Sequence, residues 1–393
     1  MTSPEVFIVA AARTPVGAFL GGLAELTAPQ LGAAALKAAL ERARLAPEQL
    51  ELTCLGNVIS AGVGQAPGRQ AALAAGIPDS VPALTVNKMC GSGLEAVITA
   101  ARAIRAGDLQ LAAAGGMESM SQAPYLLPRA RSGYRLGHGV MIDAILRDGL
   151  RDAYGDFHMG EAADRCAAEH GISRAEQDAF ARGSYLKARA SQNSGASAAE
   201  IVAVRVPSKR GEIEISQDEE PSRRDLDKLA DLPPAFSKDG TVTAANASKL
   251  NDAGAAVILA SEAACREHNL KPLARIVGYA HHAQAPALFP TAPAYAIEKA
   301  LTRAKLNRDA IDLYEINEAF AVVALACQRL AHLDPNRINI RGGAIALGHA
   351  IGASGARILT TLLYAMLDSK AKHGLATLCI GGGEANALIL ERV

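Results

Sequence analysis

The chain is 393 residues long, and its 40 Lys and Arg cancel its 40 Asp and Glu. Half of it is hydrophobic, which can offset chain entropy and excludes disorder as the general state. Zero net charge supplies no steering field, so no nucleic-acid partner is expected, and no apolar run reaches the roughly 18 residues of a membrane span.

In chain order, Val6–Ala12 reads as a buried strand ending at Arg13-Thr14-Pro15. The segment Met1–Val16 has no basic stretch followed by an apolar one, so the cytoplasm is the expected location. Ala28–Arg44 is predicted to be helical, and Leu52–Ile59 and Ala83–Asn87 to be short strands. Leu94–Ala106 places Leu94, Val97, Ile98, Ala101 and Ile104 on one helical face, and Leu109–Gly115 reads as the next strand. This alternation predicts an α/β fold with a mostly parallel, helix-covered sheet.

From Met120 to Ser248 the texture changes. Tyr125–His138 is rich in Arg, Gly and Pro. Helices are expected at Gly160–Glu169 and Arg174–Gln192, the second opened by Ser173 with Glu176 as a capping box. Ile213–Asp231 is a charged run, expected to be a solvated surface segment. The whole stretch reads as an insertion. The alternation then resumes with strands at Ala255–Ala260 and Ala274–Ala280, a helix at Tyr295–Lys305 and a strand end at Leu313–Asn317. Helices at Ala319–Leu330 and Ala353–Leu367 and strands at Leu375–Ile380 and Asn386–Glu391 complete it. Leu109–Glu118 (LQLAAAGGME) aligns without gaps on Leu375–Glu384 (LATLCIGGGE). Duplicated α/β halves would explain the match, and chance similarity of Gly-rich segments is the alternative.

None of the six Cys falls in a CxxC pair, so neither a zinc site nor a dense disulfide framework is expected. Cys54, Cys166, Cys265 and Cys327 read as buried small hydrophobes. Cys90 differs, because Asn87–Leu94 sets it between a β run and a helix start, where backbone N–H groups and the helix dipole favour a thiolate. The neighbouring Gly91 and Gly93 leave room for a substrate, as in a nucleophile elbow. Taken alone, this Cys could be reactive or structural. His349 lies in the Gly/Ala-rich run Gly342–Arg357, which lacks a phosphate-loop pattern, and a lone loop His is usually a satisfied one. Cys379 enters Gly381-Gly382-Gly383, whose backbone N–H groups can form an oxyanion hole. Asn317, in Asn317–Ala321, could be only a helix N-cap.

Together these four signals, in this order and at strand–loop–helix junctions, resemble the thiolase family. Val9–Gly17, Gly115–Gln122, His158-Met159-Gly160, Gly240–Asp252 and the C-terminal blocks extend the resemblance over essentially the whole chain. It implies a five-layered αβαβα fold of two duplicated halves with an inserted loop domain. On this chain the first half is 1–120 plus 249–270, the insert is 121–248 and the second half is 271–393. It also implies reversible Claisen condensation of acyl-CoA substrates through an acyl-Cys intermediate. Cys90 would be the nucleophile, His349 its activator and Cys379 the acid/base. Asn317 would hold a water that forms one oxyanion hole with His349, and the N–H groups of Cys90 and Gly381 would form the other.

Coenzyme A, a substrate and not a bound cofactor, would run past Leu150, His158, Met159, Phe236 and Ser248, with Arg223 or Arg224 near its adenine and phosphates, a solvated surface charge cluster being the alternative for that pair. Phe289 and Pro290 in the substrate pocket look like the acetoacetyl-CoA branch, where this pair goes with tolerance of a 2-methyl group. The same branch implies a potassium ion at Tyr185, Ala244, Ala245, Ala247 and Ile345, although Ile345 stands where Val is expected. Ala350 after His349, Asn251-Asp252-Ala253-Gly254 and Glu384 depart from the family's usual pattern. A homodimer or homotetramer is implied. The expected reaction is acetyl transfer between two C2 units. The competing readings are a broad-chain 3-oxoacyl-CoA thiolase, a carrier-protein-dependent condensing enzyme, which Cys379 disfavours, and a silent CoA- or lipid-binding protein.

Overall fold

The structure is a computed structural model that describes residues 4–208 and 211–393. The first three residues of the segment read for a targeting signal lie outside the described ones. The main strands are β1 (Val6–Arg13), β2 (Leu52–Gly56), β3 (Ala83–Val86), β4 (Leu111–Ser119) and β5 (Asn251–Ser261) in the N-terminal part. The C-terminal part adds β6 (Ala274–Ala283), β7 (Leu313–Ile316), β8 (His373–Ile380) and β9 (Glu384–Arg392).

Their order is β3-β2-β4-β5-β1 and then β6-β9-β8-β7, the two runs joined where Phe7 and Ile8 pair with Arg275 and Ala274. Each run has a helix on both faces. Helices α1 (Ala28–Ala43) and α2 (Pro67–Ala74) cover the outside of the first run, through Leu36, Leu40 and Ala71 against Val9, Leu55 and Ile258. Helix α3 (Ser92–Ala106) and a late helix (Ser354–Ser369) share the central layer, where Leu94, Ile98, Leu359 and Leu363 meet apolar residues of both runs. A further helix (Ala292–Ala304) covers the outside of the second run through Ile297 and Leu301. The layers therefore read helix, sheet, helix, sheet, helix. The Ala- and Gly-rich composition permits this, since small side chains let helices and strands approach closely.

The expectation of a mostly parallel sheet is overturned. Only β2–β3, β2–β4 and β7–β8 are parallel, whereas β4–β5, β1–β5, β1–β6, β6–β9 and β8–β9 are antiparallel. Two connections explain it. The chain leaves β4 through the long segment after Ser119 and returns along β4 in the opposite sense. Between β8 and β9 the glycine triplet makes a tight three-residue hairpin loop with Gly382 at φ 91° and Gly383 at φ 86°, positive values that favour glycine. A side chain at Gly383 would also strike the carbonyl of Gln284.

The two runs share one connectivity, with the place of β3 taken in the second run by a single bridge between Tyr314 and Ile338. The gap-free match pairs the corresponding strands β4 and β8 but in a different register. The helices start at Ser92 and Ser354 and the strands at Leu111 and His373, so Leu111 corresponds to His373 and not to Thr377.

The segment between β4 and β5 holds two small hairpins and helices α4 (Met159–Glu169) and α5 (Arg174–Asn193). The Ser173–Glu176 capping box is present. Ile213–Asp231 is not simply solvated. Asp218 is buried and, with Glu200, pairs with buried Arg13 at the end of β1, at 2.7 and 2.9 Å. Leu226 and Leu229 are buried as well. Breaking one partner of such a buried cluster leaves an uncompensated charge, so the segment is tied firmly to the sheet. Among the described residues no helix is long and apolar enough to cross a membrane.

Candidate active site

The loops that carry Cys90, His349 and Cys379 meet at the shared central layer. The C-terminal part carries helices α6 (Ala292–Ala304), α7 (Ala321–Leu330) and α8 (Ser354–Ser369). A Cβ on Gly93 would lie 2.8 Å from the Ala356 nitrogen and 3.0 Å from the Gly352 carbonyl, and one on Gly91 would strike Ile380 at 2.3 Å. The backbone contacts at Gly93 admit only glycine, which lets the start of α3 sit this close to the His349 loop, and Gly91 leaves room for Ile380 at the end of β8.

Cys90 immediately precedes α3. Met89 is held at φ 48°, a conformation a side-chain-bearing residue rarely adopts. Ser92 fixes that turn, its Oγ donating to the Met89 carbonyl at 2.6 Å and accepting from Lys88 N–H at 2.8 Å. Lys88 in turn pairs with Glu384, the residue that closes the glycine hairpin. The strained elbow holds the Cys90 side chain against the apolar cluster of Val58, Ile59, Met120, Ile145 and Ile351. The expected resting thiolate is not supported. Burial pushes the Cys90 thiol up to about 11, outweighing the N–H groups of Gly381 and of Cys90 itself that stabilise the anion. At neutral pH Cys90 is a thiol that needs a base.

His349 is buried, and its surroundings fix its tautomer. Its Nδ1 lies 2.6 Å from Ser354 Oγ, whose proton goes to the Ala350 carbonyl at 2.8 Å. Ser354 must therefore accept from Nδ1–H, which leaves Nε2 as the basic nitrogen. Nε2 is buried with no hydrogen-bond partner. Burial, then Arg357, lowers the imidazole pKa to about 4, so the ring is neutral at pH 7. The backbone is held as well, with His349 N–H 2.9 Å from Asn251 Oδ1. Asn317 reaches the ring, its Nδ2 placed 3.5 Å from Nδ1. Since Nδ1 is a donor, turning the amide to present Oδ1 pairs acceptor with donor, and the free atom becomes Nδ2–H.

Cys379 ends β8, fully buried. Burial, then the neighbouring Cys90, raises its thiol well above the ordinary range. It packs with Met159, Phe289 and Phe320. Two thiols and a neutral imidazole whose basic nitrogen is free can pass protons without holding a resting charge in an apolar pocket. Cys54, Cys166, Cys265 and Cys327 are buried free thiols, of which Cys166 packs in the same cluster as Cys379.

A cavity of about 610 Å³ leads to His349. Its wall includes Leu150, His158, Phe236, Ser248, Arg223 and Arg224, six residues drawn from distant parts of the sequence. His158 caps α4 and stacks on Phe236 with ring centroids 4.6 Å apart. Met159 opens instead on an adjoining cavity of about 620 Å³, shared with Gly381, Asn87 and Met89. Phe289 and Pro290 are buried, with the Phe289 ring 6.5 Å from that of Phe320, a residue of the first cavity.

The potassium expectation fails on the chemistry of its donors. Tyr185, Ala245 and Ile345 do pack together, and Ala244 lines the cavity. However, Lys249 Nζ already donates to the carbonyls of Ala247 and Ile345, at 2.9 and 2.8 Å. A potassium ion would have to share those oxygens with an ammonium.

Sequence reasoning missed Lys249, Ser354, Asn251 and Glu118. Glu118 is buried and accepts from Asn57 Nδ2 and from the N–H groups of Val58, Ile59 and Gly352, which joins β4 to both neighbouring loops. Burial raises its carboxyl to about 7. It stands in the GGMES segment, and a charged residue inside a small-residue strand is the signal that could have found it.

A family model described as the thiolase N-terminal domain matches residues 6–263, and one described as the thiolase C-terminal domain matches residues 270–392. The acetyl-CoA acetyltransferase of Schizosaccharomyces pombe is 48% identical over 395 residues, covering 100% of each chain. That of Cupriavidus necator is 50% identical over 390 residues, 99% of each. A cytosolic acetyl-CoA acetyltransferase of Gibberella zeae is 47% identical over 392 residues, 99% of each.

Proposed function

This chain belongs to the thiolase family, and from that premise we propose that it is an acetyl-CoA C-acetyltransferase, an acyltransferase that joins two acetyl-CoA into acetoacetyl-CoA and CoA and runs the reverse thiolysis. Full-length likeness to relatives of that name supports the reaction. The observation that carries the mechanism is the His349 tautomer, with Nδ1–H on Ser354 and a free, buried Nε2.

His349 Nε2 takes the Cys90 proton as the sulfur attacks the acetyl-CoA carbonyl. The C–S bond to CoA breaks, the CoA sulfur takes the Cys379 proton, and acetyl-Cys90 remains with His349 holding the Cys90 proton that it later returns. Cys379, ionised in this half-cycle, removes an α-proton from a second acetyl-CoA. The carbanion attacks the acetyl carbonyl, a C–C bond forms, and the Cys90 sulfur leaves and regains its proton. Splitting the reaction at a covalent intermediate replaces one hard step by two. The N–H groups of Cys90 and Gly381 serve the acetyl-enzyme oxyanion. Asn317 Nδ2 and His349 serve the enolate through water, and such donors stabilise an oxyanion by about 3 kcal/mol each.

CoA lies along the cavity lined by Leu150, His158, Phe236 and Ser248, with Met159 at the adjoining mouth and Arg223 and Arg224 available to its phosphates. In this reading 121–248 is the module that carries CoA, and 1–120 with 249–270 and 271–393 are the two catalytic halves. Phe289 and Pro290 close the acyl end, which favours a C2 unit over longer chains. The protein works in the cytoplasm as a homodimer or homotetramer. The edge strand β3, where Leu84 is exposed, offers a pairing surface.

The test is a thiolysis assay with acetoacetyl-CoA and 3-oxooctanoyl-CoA, each with CoA. A clear preference for acetoacetyl-CoA is expected. Comparable rates on the longer substrate would move the protein to a broad-chain thiolase.

A further inference from the structure

Of the cationic side chains that line the cavity, Arg223, Arg224 and Lys249, the proposed mechanism leaves Lys249 unused. Lys249 belongs to the stretch Ala247–Leu250 that walls the cavity. Its Nζ lies 5.1 Å from the centroid of the Tyr185 ring, besides its bonds to the carbonyls of Ala247 and Ile345. Carbonyl oxygens are the donors that hard cations take, and the π face adds a cation-attracting surface.

The two carbonyls belong to different walls. Ala247 adjoins Ser248, whose N–H bonds the Ala319 carbonyl at 2.9 Å. Ile345 lies in the short turn Ala344–Leu347 that delivers His349. His349 N–H also meets the Lys249 carbonyl at 3.2 Å. One ammonium therefore ties the cavity wall to the His349 loop from both sides. Burial, then Arg224, lowers the Lys249 ammonium pKa to about 7, while Glu220 and Glu318 favour the charged form, so it is the two carbonyls and the Tyr185 ring face that hold the cation. Glu318 is anchored elsewhere, by Ser184 Oγ at 2.6 Å and Ile345 N–H at 3.1 Å, and so is not its direct partner.

We propose that Lys249 is a tethered cation, a positioning residue that occupies a monovalent-ion site, holds the His349 loop against the CoA-facing wall and makes the enzyme indifferent to potassium. The inference rests on the acyl-CoA reading of this cavity. Removal of the side chain leaves the carbonyls of Ala247 and Ile345 facing a gap beside Tyr185, which is a site for a free ion. Lys249→Ala should therefore create a potassium dependence that the parent protein lacks.

The experiment compares the wild type, Lys249→Ala and Lys249→Met in potassium, sodium and tetramethylammonium chloride at equal ionic strength. Acetoacetyl-CoA thiolysis and thermal unfolding are both measured. Wild-type rate and Tm should not differ between the salts. Lys249→Ala should lose about tenfold in kcat/KM in tetramethylammonium, as a displaced catalytic loop does. Potassium should restore it saturably and raise its Tm, as expected for an ion that binds only the native state. Lys249→Met keeps the stem, fills the gap and carries no charge, so it should be impaired and not recover.

The proposal is overturned by a potassium-dependent wild type, by full activity of Lys249→Met, or by an impaired Lys249→Ala whose rate and Tm ignore potassium. If Lys249→Ala does not fold, the wild-type and Lys249→Met results still decide. If the wild type has no thiolysis activity at all, the functional reading fails instead, and the Tm measurements still test the ion site.

Discussion

The two helices of the central layer begin alike and serve different ends. Helix α3 starts Gly91-Ser92-Gly93 and α8 starts Ala353-Ser354-Gly355, with the two serines at corresponding places. Ser92 spends its hydroxyl on backbone, holding the strained Met89 turn that presents Cys90. Ser354 divides its hydroxyl between the Ala350 carbonyl and the His349 ring. A shared scaffold has thus been turned to two tasks, the placement of Cys90, the proposed nucleophile, on one side and the choice of a tautomer on the other. The difference between them is local: it lies in what stands within reach of one oxygen atom.

The comparison can be broken first at His349. His349→Gln removes the proposed base, and kcat/KM should fall about 10³-fold, within the usual range for a lost general base. The wild-type pH profile tests the same point. A ring lowered to about 4 stays in its basic form well below an ordinary histidine's range. The acid limb of kcat/KM should therefore fall near pH 4 to 5 and not near 6.5, with activity lost as pH drops. The alkaline side should show no limb from Cys90 below about 11.

A smaller effect separates the two serines. Ser354→Ala leaves Nδ1–H without its acceptor and frees the ring to take the wrong tautomer. About a tenfold loss in kcat is expected, with KM little changed and the acid limb displaced. Ser92→Ala should instead lower stability by about 1–2 kcal/mol, read by urea unfolding, with the pH profile unmoved. Equal effects of both variants on the pH profile would erase the distinction. The smallest expected effect is Gly382→Ala, which forces a side chain into the left-handed turn behind Cys379 and should cost about 1 kcal/mol of stability.

What could be read from the sequence followed the range of the forces. Strands and helices with local periodicity, such as Leu94–Ala106, stand within a few residues of where periodicity puts them. Cys90, His349, Cys379 and Asn317 announce themselves because unusual side chains sit among glycines at element junctions. The sense of β5 and β9 was not legible, because it depends on how a connection returns and not on strand composition. Asp218 looked like one charge in an exposed run, because its partner Arg13 is distant in sequence. Lys249 was invisible for the same reason. Ile345 stands almost a hundred residues away, and nothing near Lys249 says that its ammonium bonds carbonyls from two walls. The potassium expectation failed there, where one local side chain replaced an ion.

The central claim is that the acyl group passes through Cys90 while Cys379 moves protons. Wild type and Cys379→Ser are each mixed with acetyl-CoA, quenched in acid and digested, and the peptides are weighed. The account predicts one acetyl group on the peptide containing Cys90, more abundant in Cys379→Ser, which cannot go on to condense. An acetyl group on Cys379, or none on Cys90 in either protein while the wild type turns over, would contradict it.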